Sequence, residues 1–400
     1  MASYNLNYFA RTNIGKHKPD AILNLLNKTD IVNLKMNSKM EHNLLNQCHK
    51  AALWNLYGQR KISNLHSQML LNLLPKSNLY KLNTESQCIA MCFLALEFSR
   101  NGMFSASQNI LNYCKEIFSL NTKISEHWLY AESLILIEKH LLTGNWSMSK
   151  SYIEKMASIN IQQAYLQEMN MFIVEGNLEK AKEIGNKILK RMNMGFIEST
   201  KMNNYTNNFY ESDGFNGDST QKDFNTKFEF WNEQMSMSLR MNYINIYIAL
   251  REYSNALILA IKFYNDIKQL DFNYELMTSC LIIAKILIHM EYPEQAIKYV
   301  EKCIIFILSN GSLLDQAKLH YLYAKCLHML EKNKNFDIAL AHMVKCVEKL
   351  EAIEGSIYLV SAYAYMSLLL NESGHLSERN KYAFKFRQLR KQLPLIGYLL

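Results

Sequence analysis

Cys88 and Cys92 stand four residues apart, a spacing that puts two thiols on one face of a helix, where they could ligate a soft metal ion. A closed site needs two further ligands. No second Cys or His pair at ligand spacing occurs in the chain, so the pair reads as core packing. His42, Cys48 and His49 cluster as well, but in a Leu- and Asn-rich helical stretch whose only nearby acid is Glu41. A cysteine nucleophile needs a base and an electropositive setting, neither of which sequence alone shows. The phosphate-cradling GxxxxGK[ST] and GxGxxG loops, the HExxH zinc motif and the GxSxG nucleophile elbow do not occur. The reading is therefore of a chain with no catalytic, cofactor or metal residues and no small-molecule substrate.

One charged constellation remains. The stretch RNKYAFKFRQLRKQLP carries Arg379, Lys381, Lys385, Arg387, Arg390 and Lys391, interleaved with Tyr382, Phe384 and Phe386. These six cations mark a candidate partner-contact surface, for an acidic protein ahead of nucleic acid. The bland explanation is a solvated terminal helix. Phe386, Leu389 and Leu393 fall at i, i+3 and i+7, which gives one buried face, and cations near a helix C-terminus suit its dipole.

The elements that position these residues are helices. Only 13 Gly and 4 Pro in 400 residues are too few turn-formers for a chain of strands and hairpins, and 24 Tyr, 18 Phe and 4 Trp allow a large core. The 21 Met at helical spacing read as core filler. A length of 400 residues exceeds what one compact core usually spans, about 250–300 residues, whereas a repeat array has no such ceiling.

A repeated pattern supports the array: small residues at a helix crossing, a Gly or polar turn, then small and large apolar residues on a second helix. Its first second-helix position recurs at Ser107, Ser149, Ala181, Ala256, Ala296, Ala339 and, most weakly, Arg379, with gaps of 42, 32, 75, 40, 43 and 40. Small side chains let paired helices cross closely, and large ones fill the space between pairs. The fold class is all-α, a tetratricopeptide-like helical-repeat solenoid. Residues 1–80 read as an irregular helical start, with a helix from Ser63 to Leu74 stopped by Pro75. Repeats occupy 81–191 and 234–400, the latter ending in the basic helix. The Asn-rich stretch 192–233 is expected to be a flexible insert between repeats.

The eight cysteines lack CxxC spacing, and MASYNLNYFARTNIG has no apolar signal core, so reduced thiols in a nuclear or cytoplasmic protein are expected. The charge of +8 is modest and permits an acidic partner without requiring one. The longest charge-free stretch, Gly355 to Asn371, holds three Ser and three Tyr and reads as a buried repeat helix, with no membrane span.

Several segments, in order, resemble the family of the fifth subunit of the anaphase-promoting complex. They are Ala52-Leu-Trp-Asn-Leu-Tyr-Gly58, Gln68-Met-Leu-Leu71, Asn83-Thr-Glu-Ser86, Pro293-Glu-Gln-Ala296, Asn310-Gly-Ser-Leu-Leu-Asp315, Ala324-Lys-Cys326, Glu378-Arg-Asn380, Phe386-Arg-Gln-Leu389 and Gln392-Leu-Pro394. The resemblance covers nearly the whole chain outside the Asn-rich stretch. It implies a non-catalytic platform subunit of that multisubunit ubiquitin ligase, which governs the metaphase–anaphase transition. It also implies other scaffold and repeat subunits as partners, and correspondence to the family's carboxy-terminal half. The alternative is a repeat adaptor or co-chaperone that recognises an acidic tail. Against it, Cys92 and Leu96 on the inner helix beside Ala95 are apolar, although Lys285 and Lys325 beside Ala284 and Ala324 leave an anion site conceivable.

Overall fold

The structure, a computed structural model, describes residues 43–44, 46–48, 50–51, 54, 60–77, 84–117, 122–191, 236–269, 272–330 and 336–393, and every regular element among them is a helix. In order these are α1 (Arg60–Ser77), α2 (Thr84–Arg100), α3 (Phe104–Ile117), α4 (Thr122–Leu142), α5 (Trp146–Ala157), α6 (Ile161–Glu175), α7 (Leu178–Arg191) and α8 (236–249). There follow α9 (Tyr253–Lys268), α10 (Asn273–His289), α11 (Pro293–Asn310), α12 (Leu313–Leu330), α13 (Phe336–Glu351), α14 (Leu359–Glu372) and α15 (Leu376–Gln392). Helices α2 to α15 pair into antiparallel hairpins that stack on one another, the helical-repeat solenoid expected from the sequence.

One turn geometry generates six of the hairpins. Gly102, Gly144, Gly176 and Gly374 have φ of 74°, 71°, 88° and 78°, and Arg251 and Glu291 take the same left-handed conformation at 62° and 64°. Each stands five residues before a marker of the second helix (Ser107, Ser149, Ala181, Ala256, Ala296 or Arg379). The next residue closes the first helix: Asn177 N donates to Phe172 O at 2.8 Å and Tyr292 N to Leu287 O at 2.9 Å. The carbonyl of that same residue then opens the second helix, accepting from Ala181 N at 3.1 Å and from Ala296 N at 3.0 Å. A single residue thus ends one helix and starts its partner, so the hairpin angle is set by backbone chemistry.

The crossings follow. Ser107, Ser149, Ala181, Ala256, Ala296 and Ala339 are each 0% exposed, as are Ala95, Ala284 and Ala324 on first helices. Ser107 Oγ donates to Ala95 O at 2.6 Å across the hairpin. Ser63 on α1 donates to Ala51 O at 2.8 Å over the same sequence separation. The segment expected to be irregular therefore contains a crossing in the common register. The expectation that Pro75 stops its helix is corrected: α1 runs through Ser77. Pro75 sits in the last turn, where only one backbone hydrogen bond is forfeited. Arg379, the mismatched marker, is half-buried and donates through Nη1 to Asn371 Oδ1 at 2.8 Å. No residue of its helix is fully buried.

One buried cluster runs from Cys88 to Leu370, with Phe104, Phe263 and Phe272 among its largest fully buried side chains. Each such ring contributes about 2–3 kcal/mol by leaving water. The cluster crosses the long gap in the repeat. Tyr243 of α8 donates to Asn186 Oδ1 of α7 at 3.1 Å, and a Cβ on Gly185 would come within 2.6 Å of that hydroxyl. Repeats on either side of the Asn-rich stretch are thus direct neighbours. The stretch itself lies outside the described residues.

The array also meets itself. Arg60 N at the start of α1 donates to Asn310 Oδ1 at the end of α11 at 3.0 Å. The α13–α14 connection reaches the turns of the first two hairpins: Ile357 N donates to Leu142 O at 2.8 Å, and Glu354 Oε2 accepts from Ser105 N and Oγ at 3.0 and 2.8 Å. A Cβ on Gly102 would stand 3.0 Å from Ile353 Cγ1. The carboxylate of Glu354 thereby caps the N-terminal turn of α3, where the helix dipole favours a negative charge.

Two stability predictions result. Glu291→Gly should raise stability by about 0.5–1 kcal/mol and Gly176→Ala should lower it by about 1–2 kcal/mol, both read from urea denaturation. Ser105→Ala and Glu354→Ala should each cost roughly 0.5 kcal/mol and be non-additive in a double-mutant cycle. A zero coupling energy would mean that the two parts of the array do not touch in solution.

Candidate interaction surfaces

The six cations of α15 divide on inspection. Lys385 Nζ lies 2.7 Å from Glu351 Oε1 and over the rings of Tyr363 and Tyr382, at 5.3 and 5.5 Å. Arg379 is held by Asn371 and Asn380. Lys385 and Arg379 therefore fasten the last helix to the array, and Arg390 is half-buried. Lys381, Arg387 and Lys391 are exposed. Phe384 is 60% and Leu376 53% exposed on the same helix, while Phe386 and Leu389 pack against the core as their spacing implies. The sequence-predicted contact surface thus reduces to three outward cations beside two outward apolar side chains.

A second basic cluster forms on successive first helices. Lys285 of α10 and Lys318 and Lys325 of α12 converge closely enough that burial first, then the charges of Lys318 and Lys325, holds Lys285 well below the usual lysine range. Lys285 keeps part of its surface in solvent even though protein atoms surround it. Burial, then Lys325 and Lys285, pushes His289 down to about 4. Lys325 Nζ sits over Tyr321 at 4.8 Å and Tyr365 at 5.6 Å, and Lys318 over Tyr358 at 5.3 Å. These aromatic faces offset part of the cost of crowding like charges. Lys318 was missed in the sequence, although it stands seven residues before Lys325 and so on the same helix face.

The opposite sign gathers nearby. Tyr274 donates to Asp315 Oδ2, which also accepts from Ser312 Oγ at 2.5 Å, while Asp315 N donates back to Ser312 Oγ at 3.1 Å. This reciprocal box starts α12. Glu138 of α4 faces Asp315 across the interior and adjoins a cavity of about 570 Å³ lined by Arg100, Tyr130, Gln163, Gln167 and Asn170. Burial, offset by Arg100 and reinforced by Asp315, raises the Glu138 carboxyl to about 7. Glu138 nevertheless keeps solvent-accessible surface at the edge of that cavity. Glu275 is also raised to about 7, by burial, and its Oε2 has no hydrogen-bond partner. Among the described residues, no helix is long and apolar enough to cross a membrane.

The Glu275 carboxyl titrates near 7 when folded and near 4.5 otherwise. Between those values the folded chain binds the extra proton, so its contribution to stability is complete below the lower value and is lost as pH rises through about 7. Glu275→Gln should therefore stabilise the protein by roughly 1–2 kcal/mol at high pH and leave it nearly unchanged at low pH, measured by denaturation across that range.

No family model matches the chain. Curated proteins named anaphase-promoting complex subunit 5 do. The one from Homo sapiens is 21% identical over 359 residues, which cover 87% of this chain and 43% of that protein. The one from Rattus norvegicus is 22% identical over 369 residues (87% and 45%), and the one from Gallus gallus 23% over 359 residues (87% and 43%). The chain spans less than half the length of the curated relatives it matches. Among solved structures, the human IFIT1 dimer with m7Gppp-AAAA aligns over 97% of this chain and 94% of its own, at 12% identity and a TM-score of 0.42, too low to equate the two folds. Over most of its length, this chain is similar, at low identity, to curated proteins named anaphase-promoting complex subunit 5.

Proposed function

We propose that the chain is a non-catalytic scaffold subunit of the anaphase-promoting complex, acting in mitotic progression through contacts with other scaffold and repeat subunits. The observation that carries this reading is the similarity to subunit 5 along 87% of the chain, spread over stacked hairpins rather than confined to one motif. Stacked hairpins supply extended surfaces that engage several partners at once. The exposed ridge of α15, with Lys381, Arg387 and Lys391 beside Phe384, suits an acidic protein partner with an apolar centre. Such a subunit transfers nothing itself and works in the nucleus and cytoplasm.

A second reading is favoured by one observation. The convergence of Lys285, Lys318 and Lys325, the last two over ring faces, fits an acidic peptide tail, as in a repeat adaptor.

Both readings are tested on the tagged full-length gene product from dividing cells. The scaffold reading expects cullin, RING and repeat subunits to co-purify. Their recovery should fall for Lys381→Glu/Arg387→Glu/Lys391→Glu, without loss of thermal stability. Chaperones alone in the eluate, together with saturable micromolar binding of an acidic tail peptide that Lys318→Ala/Lys325→Ala abolishes, would replace it with the adaptor reading.

A further inference from the structure

The eight cysteines are all buried and none is in a disulfide, yet they are not distributed alike. Three of them meet. Cys88 and Cys92 lie one turn apart on α2, and Cys114 comes from α3 on the other side of the first full hairpin. Their sulfurs are 3.8 Å apart for Cys88–Cys92 and 3.5 Å for Cys88–Cys114, and all three lie within 4.8 Å of one another. Cys88 and Cys114 are 0% exposed and Cys92 6%. No other group of three His, Cys, Asp or Glu among the described residues brings its ligand atoms together in this way.

A zinc ion bound to thiolates at about 2.3 Å in a tetrahedron holds its sulfurs about 3.8 Å apart. The two measured separations bracket that edge closely. The repeat provides an internal comparison. At the register of Cys88, Cys92 and Cys114, the α10–α11 hairpin has Met277, Leu281 and Cys303 and the α4–α5 hairpin has Tyr130, Leu134 and Met156, so the crossing itself demands a small residue at none of the three positions. Packing therefore does not require sulfur at 88, 92 or 114, where the array elsewhere accepts larger apolar side chains.

We propose that Cys88, Cys92 and Cys114 form a binding site for a thiophilic d10 cation, Zn²⁺ in the first instance, that pins α2 to α3, with the fourth corner taken by a water. Each ligating thiol gives its proton to solvent and no electron moves. The metal would stabilise all three thiolates and take the place of the protons they lose. The inference stands apart from the scaffold reading, since it concerns one hairpin and needs no partner.

The test uses the full chain, reduced and held anaerobically, titrated with Co²⁺ as a spectroscopic stand-in for Zn²⁺. The expected result is an intense thiolate-to-cobalt charge-transfer band with tetrahedral visible bands, saturating at about one equivalent and displaced by Zn²⁺. Cys114→Ser should abolish the band, whereas Cys303→Ser, in the same register on α11, should retain it. A readout on the unaltered protein guards against a misfolded variant. Zn²⁺ should slow alkylation of Cys88, Cys92 and Cys114 several-fold, with no effect on Cys280, Cys303, Cys326 or Cys346. Absence of the band in the unaltered protein, a band that survives in folded Cys114→Ser, or equal alkylation with and without Zn²⁺ would each overturn the proposal.

Discussion

The structure depends on how closely two helices can approach at one residue. Where Ala181, Ala256, Ala296 or Ala339 faces the preceding helix, the absence of a larger side chain lets the backbones cross, and everything else in the hairpin is arranged around that point. The left-handed residue five positions before Ala181, Ala256 or Ala296 fixes where the chain turns, and the residue after it serves both helices with its amide and carbonyl. Large side chains such as Phe104 and Phe263 then fill the space between hairpins. The order of causes is backbone turn, close crossing, stacking. The turn tolerates Arg251 and Glu291 in an unfavourable conformation because the crossing beyond it leaves no alternative.

That hierarchy explains how much could be read from sequence. The crossings were legible because Ala and Ser recur at fixed distance from a Gly or polar turn, and all six of the well-matched markers are fully buried. Arg379 was legible as the exception for the same reason. Local rules misjudged Pro75, since a proline in the final turn forfeits little and the helix runs past it. The early crossing at Ser63 was obscured because its signature is a side-chain hydrogen bond to Ala51, which no periodicity reveals.

The functional surfaces were less legible, and the reason is geometric. Basic residues at 379–391 are adjacent in sequence, so they stood out. Yet Lys385 and Arg379 proved to be fastened to Glu351 and Asn371, contacts that come from other helices. The lysine cluster and the thiol cluster draw members from different helices. In each, the sequence displayed part of the group and hid one member, Lys318 or Cys114. Similarly, nothing local to Glu138 announces Asp315, which stands 177 positions away and is brought opposite only by the curvature of the whole array.

The contact between Glu354 and Ser105 has a consequence for how this molecule responds to load. An open solenoid is a spring whose coils slide apart at little cost, and each repeat feels only its neighbours. Joining the α13–α14 connection to the first turns makes a hoop instead, in which a pull on one rim is resisted on the far side as well. Inserting or deleting a hairpin would break the hoop's circumference, so repeat number here is fixed by closure and is not a freely variable length.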